Sequence, residues 1–374
     1  MARATWTASI ALFLLCPSIF AALAEDVTPA EAERRALADP QAPDAERWLK
    51  IAADGGLRDA QALLGERYLH EGAASKNLAA GIDLVRRAAT QGSAQAQSML
   101  GWAYGTGTGV EQNASEAVKW LEAAARQENG YALWALSGAY YRGDGVAQDS
   151  QLAKRLLLRS AELGDARGLT RAWRTLLFGK PDERDSRLGM YFLYKEASTE
   201  EADAAYMMGR EYLTGRDVPR DLARATMWLE RAVSKQHTLA SLWLSELHAK
   251  GIGVKKDPVR AEQMLQAALR AATLREKNQF SWTLSVAEDE ELRNSALAIR
   301  VLEPALAAEK QKPPQYLDTL AASYAENGQF DKAVATQLEA IQTLRRTRPA
   351  EPAPDMEQRL ELYRAGKAYR EDRL

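Results

Sequence analysis

The residue types that usually perform catalysis or bind metals are scarce in this 374-residue sequence. Its three histidines, His70, His237 and His248, show no metal-binding spacing, and its one cysteine is Cys16. No His-Glu-x-x-His, Ser-x-x-Lys or Gly-x-Ser-x-Gly motif occurs, so the sequence offers neither a zinc-binding pair nor an activated serine. The glycine-rich residues 105–109 lack the Gly-Lys-Ser/Thr ending of a phosphate-binding loop. We therefore expect a protein that is not an enzyme and holds no cofactor or metal.

Charge and composition narrow the class of partner. Lys and Arg number 49 and Asp and Glu number 51, which gives a net charge of -2. The chain thus lacks the basic excess that is typical of nucleic-acid binding, and we expect no nucleic-acid partner. Hydrophobic residues make up 46% and charged residues 27%, the balance of a folded globular protein.

The first residues resemble an export signal. Arg3 precedes an apolar stretch at 10–20, and the small residues around Ala24 predict cleavage between Ala24 and Glu25. Cys16 follows a leucine and lies inside the apolar stretch, so we interpret it as part of the signal and not as a lipidation site. The stretch is too short for a membrane span, and no later segment is long enough. We therefore expect a periplasmic or secreted protein without a membrane span.

A repeat of 36 residues organises most of the remaining chain. A large apolar residue recurs at each step, at Trp48, Leu84, Trp120, Leu156, Phe192, Trp228 and Met264. Small residues follow four positions later, which places both sets on one face of a helix, here called helix A. A second block combines a small, a large and a mostly aromatic position at spacings of four, which predicts a second helix, helix B. Its aromatic position holds Tyr68, Tyr104, Tyr140 and Tyr212.

The residues between the predicted helices are those that end and begin helices. Gly56, Gly92 and Gly164 stand between helix A and helix B, where a left-handed backbone is needed. An Asn or Asp precedes each later helix A as its predicted N-cap, at Asn77, Asn113, Asp149, Asp185, Asp221 and Asp257.

The combined pattern Trp-Leu-x-x-Ala-Ala, Ala-x-x-x-Leu-Gly-x-x-Tyr and Gly-x-Gly-Val-x-x-Asp resembles the Sel-one-like repeat (SLR) family, which is related to the tetratricopeptide repeats. The resemblance implies an all-α fold, a right-handed α-solenoid of antiparallel helix pairs. The repeat at about 165–200 departs most, because Trp173 replaces a glycine and Glu196 replaces an alanine. We assign Trp173 to a rearranged core.

The pattern predicts five segments. Residues 1–24 are the cleaved signal, 25–43 a loose arm with a short helix from Pro29 to Leu37, and 44–285 seven SLR-type helix pairs. Residues 286–348 resemble tetratricopeptide repeats, with Leu317, Leu320, Ala321, Tyr324, Phe330, Ala333 and Ala340 in the matching positions. Residues 349–374 form a proline-rich turn and a helix that caps the last apolar face.

Six large aromatic residues occupy repeat positions that are otherwise small or polar, and these are our candidate binding residues. They are Trp102, Trp134, Tyr191, Tyr194, Tyr206 and Trp282. Two interpretations stay open: the rings fill gaps between neighbouring repeats, or they line a groove as anchors for a ligand.

The resemblance implies a scaffold or adaptor that binds a protein partner through the solenoid surface, in bacterial envelope assembly or exopolysaccharide export. One alternative is a glycan- or peptidoglycan-binding module that uses the surface aromatics, so a polysaccharide is a second candidate ligand. Other relatives suggest a hydrolase of the secreted β-lactam-binding type or an adaptor of the eukaryotic secretory pathway. The β-lactam-binding relatives are rich in cysteine, whereas this chain retains none once the signal is removed.

Overall fold

The computed structural model of the protein describes residues 27–40, 42–70, 78–199 and 201–371. In these ranges the chain forms helices joined by turns, with one isolated β-bridge and no strand. The predicted export signal and its cleavage site lie outside the described residues. The all-α solenoid class expected from the repeats is confirmed, because consecutive helices pack in pairs along each of the two compact units of the chain.

Unit 1 ends at Gly168, and unit 2 begins at Leu169. The described helices of unit 1 are α1 (Pro29–Ala38), α2 (Ala45–Asp54), α3 (Arg58–His70), α4 (Leu78–Thr90), α5 (Ala94–Thr106), α6 (Ala114–Ala125), α7 (Gly130–Arg142) and α8 (Ser150–Glu162). Helix α9 (Ala166–Phe178) spans the boundary.

Unit 2 continues the alternation of helix A and helix B and then changes to the tetratricopeptide-like part. Its helices are α10 (Ser186–Ala197), α11 (Ala202–Thr214), α12 (Leu222–Ser234), α13 (Thr238–Lys250), α14 (Pro258–Ala271), α15 (Leu274–Val286), α16 (Ser295–Ala307), α17 (Pro314–Glu326), α18 (Phe330–Thr347) and α19 (Pro354–Arg364). A short 3-10 turn at Glu290–Leu292 separates α15 from α16.

The predicted N-caps and the glycines between the helices are confirmed where they lie in the described residues. Each helix A from α6 to α14 begins with its Asn or Asp side chain accepting a hydrogen bond from the backbone N–H three residues later. The predicted cap Asn77 lies outside the described residues. Between helix A and helix B the glycines are left-handed, with φ of 89° at Gly92, a backbone that residues with a Cβ adopt at a cost.

Glycines in helix B set the distance to the next helix A. A Cβ placed on Gly101 of α5 would lie 2.6 Å from Cγ of Leu121 in α6, closer than two carbon atoms can approach. A Cβ placed on Gly209 of α11 would likewise lie 2.7 Å from Cγ of Leu229 in α12. Each helix B therefore lies directly against the helix A that follows it, and their apolar faces form the core.

Helix α1 differs from the loose arm that we expected. It begins at the predicted Pro29 and extends one residue further than predicted, to Ala38. Its Ala32 and Ala36, four residues apart, are buried against a cluster that includes Leu49 of α2. Two small residues on one helix face allow close packing, which is why this segment lies on the first helix pair.

The tetratricopeptide-like part has the core that its sequence pattern predicts. Leu317, Leu320, Ala321, Tyr324, Ala333 and Ala340 are all buried in one cluster. Phe330 packs against this cluster from its edge, and Tyr363 of α19 is fully enclosed in it. Helix α19 therefore covers the last apolar face, as expected of a capping helix.

The divergent repeat contains a buried polar contact that explains both of its departures. Trp173 of α9 is 2% exposed and donates its indole N–H to the carboxylate of Glu196 in α10. Thr170 donates its hydroxyl to the same carboxylate. A buried carboxylate needs such donors, so the tryptophan that replaces a glycine satisfies the glutamate that replaces an alanine.

Candidate functional site

The two predicted aromatic residues of unit 1 differ in their surroundings. Trp102 of α5 is 36% exposed. Trp134 of α7 is half-buried beside Tyr131, with 5.5 Å between the ring centroids. The guanidinium of Arg167 lies over both of these rings, 5.1 Å from Tyr131 and 5.7 Å from Trp134. This aromatic pair therefore already has a cation on it, whereas Trp102 presents its ring to solvent.

Tyr191 and Tyr194 project from α10 on the helix A side of unit 2, and each is 55% exposed. The ring of Tyr194 contacts Trp228 of α12 edge-to-face, at 5.8 Å between centroids. Met227, which is 53% exposed, occupies in α12 the repeat position that Tyr191 occupies in α10. We call Tyr191, Tyr194 and Met227 the outer patch.

Tyr206 of α11 is buried, with 4% of its surface exposed. Its ring stacks on the imidazole of His237, at 4.5 Å and an interplanar angle of 19°. Burial raises the pKa of the Tyr206 phenol and lowers the pKa of His237. His237 itself is the N-cap of α13, because its Nδ1 accepts the backbone N–H of Ala240 at 3.1 Å. For Tyr206 the structure thus matches the gap-filling interpretation, one of the two that the sequence left open.

Trp282 of α15 lies in a groove on the helix B side of unit 2. Helix α13 contacts α15, and α15 contacts α17, so successive helices B form one continuous side. Two adjoining clefts on this side, of about 840 and 200 Å³, share Thr214, Leu292 and Glu371. We call this pair of clefts the groove.

The smaller cleft of the groove is aromatic and polar. It is lined by Trp243 of α13, Trp282 of α15 and Arg210 of α11, with Gln279 beside them. Trp243 is 3% exposed and packs edge-to-face on Phe280, at 5.2 Å between centroids, which holds the indole in place. Sequence reasoning missed Trp243, although it stands out by size in its repeat position, as Trp282 does.

The larger cleft of the groove has charges of both signs. The guanidinium of Arg216 lies 4.5 Å from the ring centroid of Phe178, 3.1 Å from a carboxylate oxygen of Asp217, and against the carboxylate of Glu211. Glu211 is fully buried, and burial raises its pKa against the opposing effect of Arg216 and Arg210. Although the guanidinium of Arg216 lies over its ring, Phe178 remains 38% exposed, so part of the ring is open to solvent between fixed charges.

The remaining titratable groups were predicted to hold no metal, and the described residues can be searched for one. No cluster of three His, Cys, Asp or Glu side chains that could hold a metal ion occurs there. His248 is buried in the core, with 6% of its surface exposed. The side chain of His70 is not among the parts of the chain that the structure describes. None of the described helices combines the length and apolar character that crossing a bilayer requires. The groove and the outer patch are our candidate binding surfaces.

The fold and these surfaces define a repeat scaffold of the kind that mediates protein–protein interaction. The chain belongs to the Sel1 repeat family, whose model matches residues 37–57, 58–93, 94–129, 130–165, 202–237 and 238–272. The unmatched interval at 166–201 is the repeat that contains Trp173 and Glu196. Comparison with curated proteins finds no match to this sequence.

Two of the solved structures that share this fold are bacterial proteins. A protective antigen present in uropathogenic Escherichia coli strains, which displays an SLR fold, is 20% identical. The similarity covers 90% of this chain and 75% of that one, with a TM-score of 0.63. A Sel1 repeat protein from Oxalobacter formigenes is 22% identical over 92% of this chain and 99% of its own, with a TM-score of 0.52. Similarity at this level of identity shows the shared fold.

Proposed function

We propose that the protein is an exported, non-enzymatic scaffold that binds a protein partner in the groove of unit 2. The observation that supports this most directly is the lining of the groove, where the half-buried Trp282 and the open ring of Phe178 lie among fixed charges. Aromatic anchors surrounded by polar groups are typical of protein-binding hot spots. The groove also lies on the side where successive helices B meet, so one partner can contact several repeats at once.

The cellular setting that we propose is the bacterial envelope, with a part in envelope assembly or exopolysaccharide export. The predicted export signal supports the periplasm, and the family resemblance supports the envelope role. Fractionation of cells that express the full chain tests the location. We expect the protein in the periplasmic fraction with its signal removed, and cytoplasmic retention would contradict the proposal.

Site-specific photo-crosslinking in the expressing cell tests the partner site. A photoreactive residue replaces Phe178, which is 38% exposed in the larger cleft. The matched control replaces Val259, which is 70% exposed at the start of α14. We expect a protein adduct from position 178 and none from 259, and we expect Trp282→Ala to reduce that adduct at equal expression. An adduct from position 259 alone would place the partner outside the groove. An adduct from position 178 that Trp282→Ala leaves unchanged would show that the partner does not use Trp282 as an anchor, and either result contradicts the proposal.

A second candidate function, glycan binding, is favoured by the outer patch. Tyr191 and Tyr194 present their rings to solvent on one helix, and exposed aromatic faces stack on the apolar faces of sugars. Retention on immobilised peptidoglycan or polysaccharide separates this function from protein binding. Loss of retention in Tyr191→Ala and Tyr194→Ala, with retention kept in Trp282→Ala, would favour the glycan. Turnover of a β-lactam by the purified protein would contradict both proposals.

A further inference from the structure

The residues after helix α19 form an extended segment that lies against unit 2. Gly366 turns the chain with φ of 66°, after which residues 367–371 contain no helix. Ala368 and Tyr369 pack against the core cluster of the tetratricopeptide-like part. We call residues 365–371 the tail segment.

Side chains of the tail segment alternate in direction, as in a bound extended peptide. Tyr369 packs on Trp282, with 6.1 Å between ring centroids. Two residues later Glu371 accepts the indole N–H of Trp282 at 2.7 Å. Arg370 between them instead pairs with Glu326 at the end of α17, at 2.5 Å. This period of two matches a peptide that presents alternate side chains to its binding surface.

Backbone contacts support the same arrangement. The N–H of Glu371 donates to the carbonyl oxygen of Val286 at 3.1 Å, and Glu371 forms a parallel β-bridge with Ala287. Arg359 of α19 lies over both aromatic rings, 5.4 Å from Trp282 and 5.2 Å from Tyr369. The surface thus provides an aromatic platform, a cation, an acid and one backbone carbonyl, that of Val286, which accepts the N–H of Glu371.

The tail segment fills only one end of the groove. Glu371 lines both clefts, and the larger cleft continues from Glu371 and Asp289 to Arg216 and Phe178. Lys367 and Arg370 are exposed, and beyond the turn at the end of α19 the backbone of the segment is joined to unit 2 by the bridge of Glu371. A segment with few buried contacts opens at a lower free energy than the core helices do.

We propose that Trp282, Arg359 and Glu326 form a site for an extended peptide in which an aromatic, a basic and an acidic residue follow one another. The chain's own tail segment occupies this site, and the occupant that displaces it is a partner protein carrying a segment of that chemistry. This inference rests on the proposed function and specifies the partner chemistry that one part of the groove recognises. The larger cleft would then accept the continuation of the partner segment beyond its acidic residue.

Competition with the tail segment determines what a binding experiment can detect. A short tether holds an intramolecular ligand at an effective concentration on the order of millimolar. A free peptide at micromolar concentration therefore cannot displace the tail segment from the wild-type chain. Substitutions that weaken the tail segment remove this competition and leave Trp282, Arg359 and Glu326 in place.

The test uses the full chain and a fluorescein-labelled, amidated peptide of sequence Gly-Lys-Ala-Tyr-Arg-Glu, with binding measured by fluorescence anisotropy. The double variant Tyr369→Ala/Glu371→Ala weakens the tail segment, and Lys367→Ala is the matched control because this side chain is exposed. We expect the double variant to bind the peptide at least ~10-fold more tightly than the wild type or the control. Adding Trp282→Ala should abolish the gain, and a peptide with its Tyr and Glu replaced by Ala should not bind.

Folding and accessibility measurements keep the proposal testable. Circular dichroism confirms that the variants fold, and trypsin cleavage after Lys367, a bond whose two residues the double variant leaves unchanged, reports the release of the tail segment in the wild type and the double variant. The proposal predicts faster cleavage in the double variant. A folded double variant that does not bind the peptide would overturn the proposal and would show that the tail segment is a fixed part of the structure. Dimers of wild type that dissociate in the double variant would instead assign the site to a second copy's tail. Neither result affects the photo-crosslink from position 178, so failure of the peptide site and failure of the partner proposal are distinguishable.

Discussion

Helices α17 and α19 are joined by a buried ion pair whose removal has a calculable cost. Arg359 donates from Nε and a terminal nitrogen to the two carboxylate oxygens of Asp318, at 2.9 and 2.8 Å. The two side chains are only 11% and 8% exposed, and Gln337 adds a hydrogen bond to the same carboxylate at 2.7 Å. Replacement of Arg359 by Met leaves a buried carboxylate without its counter-charge. Such a change costs about 3–5 kcal/mol of unfolding free energy.

Hydrogen exchange of the α17 to α19 region is the appropriate assay, because a repeat array does not unfold as a single two-state unit. A loss of about 3–5 kcal/mol lowers the protection of α17 amides by roughly 10²–10³-fold or more. The matched control is Arg345→Met, which breaks the exposed pair of Arg345 and Glu357 and should cost under about 1 kcal/mol. The double variant Asp318→Leu/Arg359→Met should cost much less than the sum of its single changes, because no charge is left buried. Equal costs for Arg359→Met and Arg345→Met, or additive costs in the double variant, would refute the reasoning.

Three further predictions concern the repeats. In urea unfolding, Gly101→Ala should destabilise the chain by about 1–3 kcal/mol, because the added methyl group overlaps Leu121 of the next helix A. Gly105→Ala is the control and should be neutral or stabilising, because its added methyl group lies 3.8 Å from Cβ of Ala117, an ordinary contact. The imidazole of His237 must be neutral to accept the N–H that caps α13, and burial lowers its pKa. Its contribution to stability is therefore present above about pH 6.5 and is lost as the pH falls through its folded-state pKa. His237→Asn should flatten the dependence of Tm on pH between 5 and 7.5, and an unchanged slope would exclude His237 as the source of that dependence. Trp173→Phe should lower the free energy of unfolding by about 1–3 kcal/mol, because it leaves a buried carboxylate oxygen of Glu196 without its donor. The same change should cost much less in a Glu196→Ala background, and an equal cost in both backgrounds would show that the hydrogen bond contributes nothing.

The regular part of the fold could be predicted because it repeats. The main buried apolar positions of helix A and helix B recur after 36 residues, so the same packing signal occurs several times in the sequence. The tetratricopeptide-like core was predictable for a related reason, since Leu320, Tyr324 and Ala333 occupy the positions of a known pattern. Helix α1 lies outside the repeats, and its two alanines did not show that it would pack on α2.

The aromatic candidates show where the residue types found at one repeat position mislead. Tyr206 and Trp134 share a repeat position whose other members include Ala62 and Ser98, and these small residues are buried. Small size there reflects a close contact and not a surface, so a large ring at this position displaces neighbours: Tyr206 is enclosed beside His237. Trp282 shares its position with charged residues, which is the better sign of a groove wall.

The tail segment could not be predicted by periodicity. It follows the last repeat, and its contact with Trp282 joins residues 89 positions apart. No spacing rule relates Tyr369 or Glu371 to a helix that precedes them by four intervening helices. Only the folded arrangement of α15, α17 and α19 brings their side chains together.

The contact between Trp173 and Glu196 has a consequence for how this chain can change its length. Elsewhere a duplication or deletion of one 36-residue step replaces each helix by an equivalent one. At 166–201 such a duplication or deletion would separate Trp173 from Glu196. The indole would then lose its hydrogen-bond acceptor, or the carboxylate would be buried among apolar side chains without its donor. This repeat is therefore not an interchangeable module, and we expect lineages that gain or lose repeats to do so on either side of it.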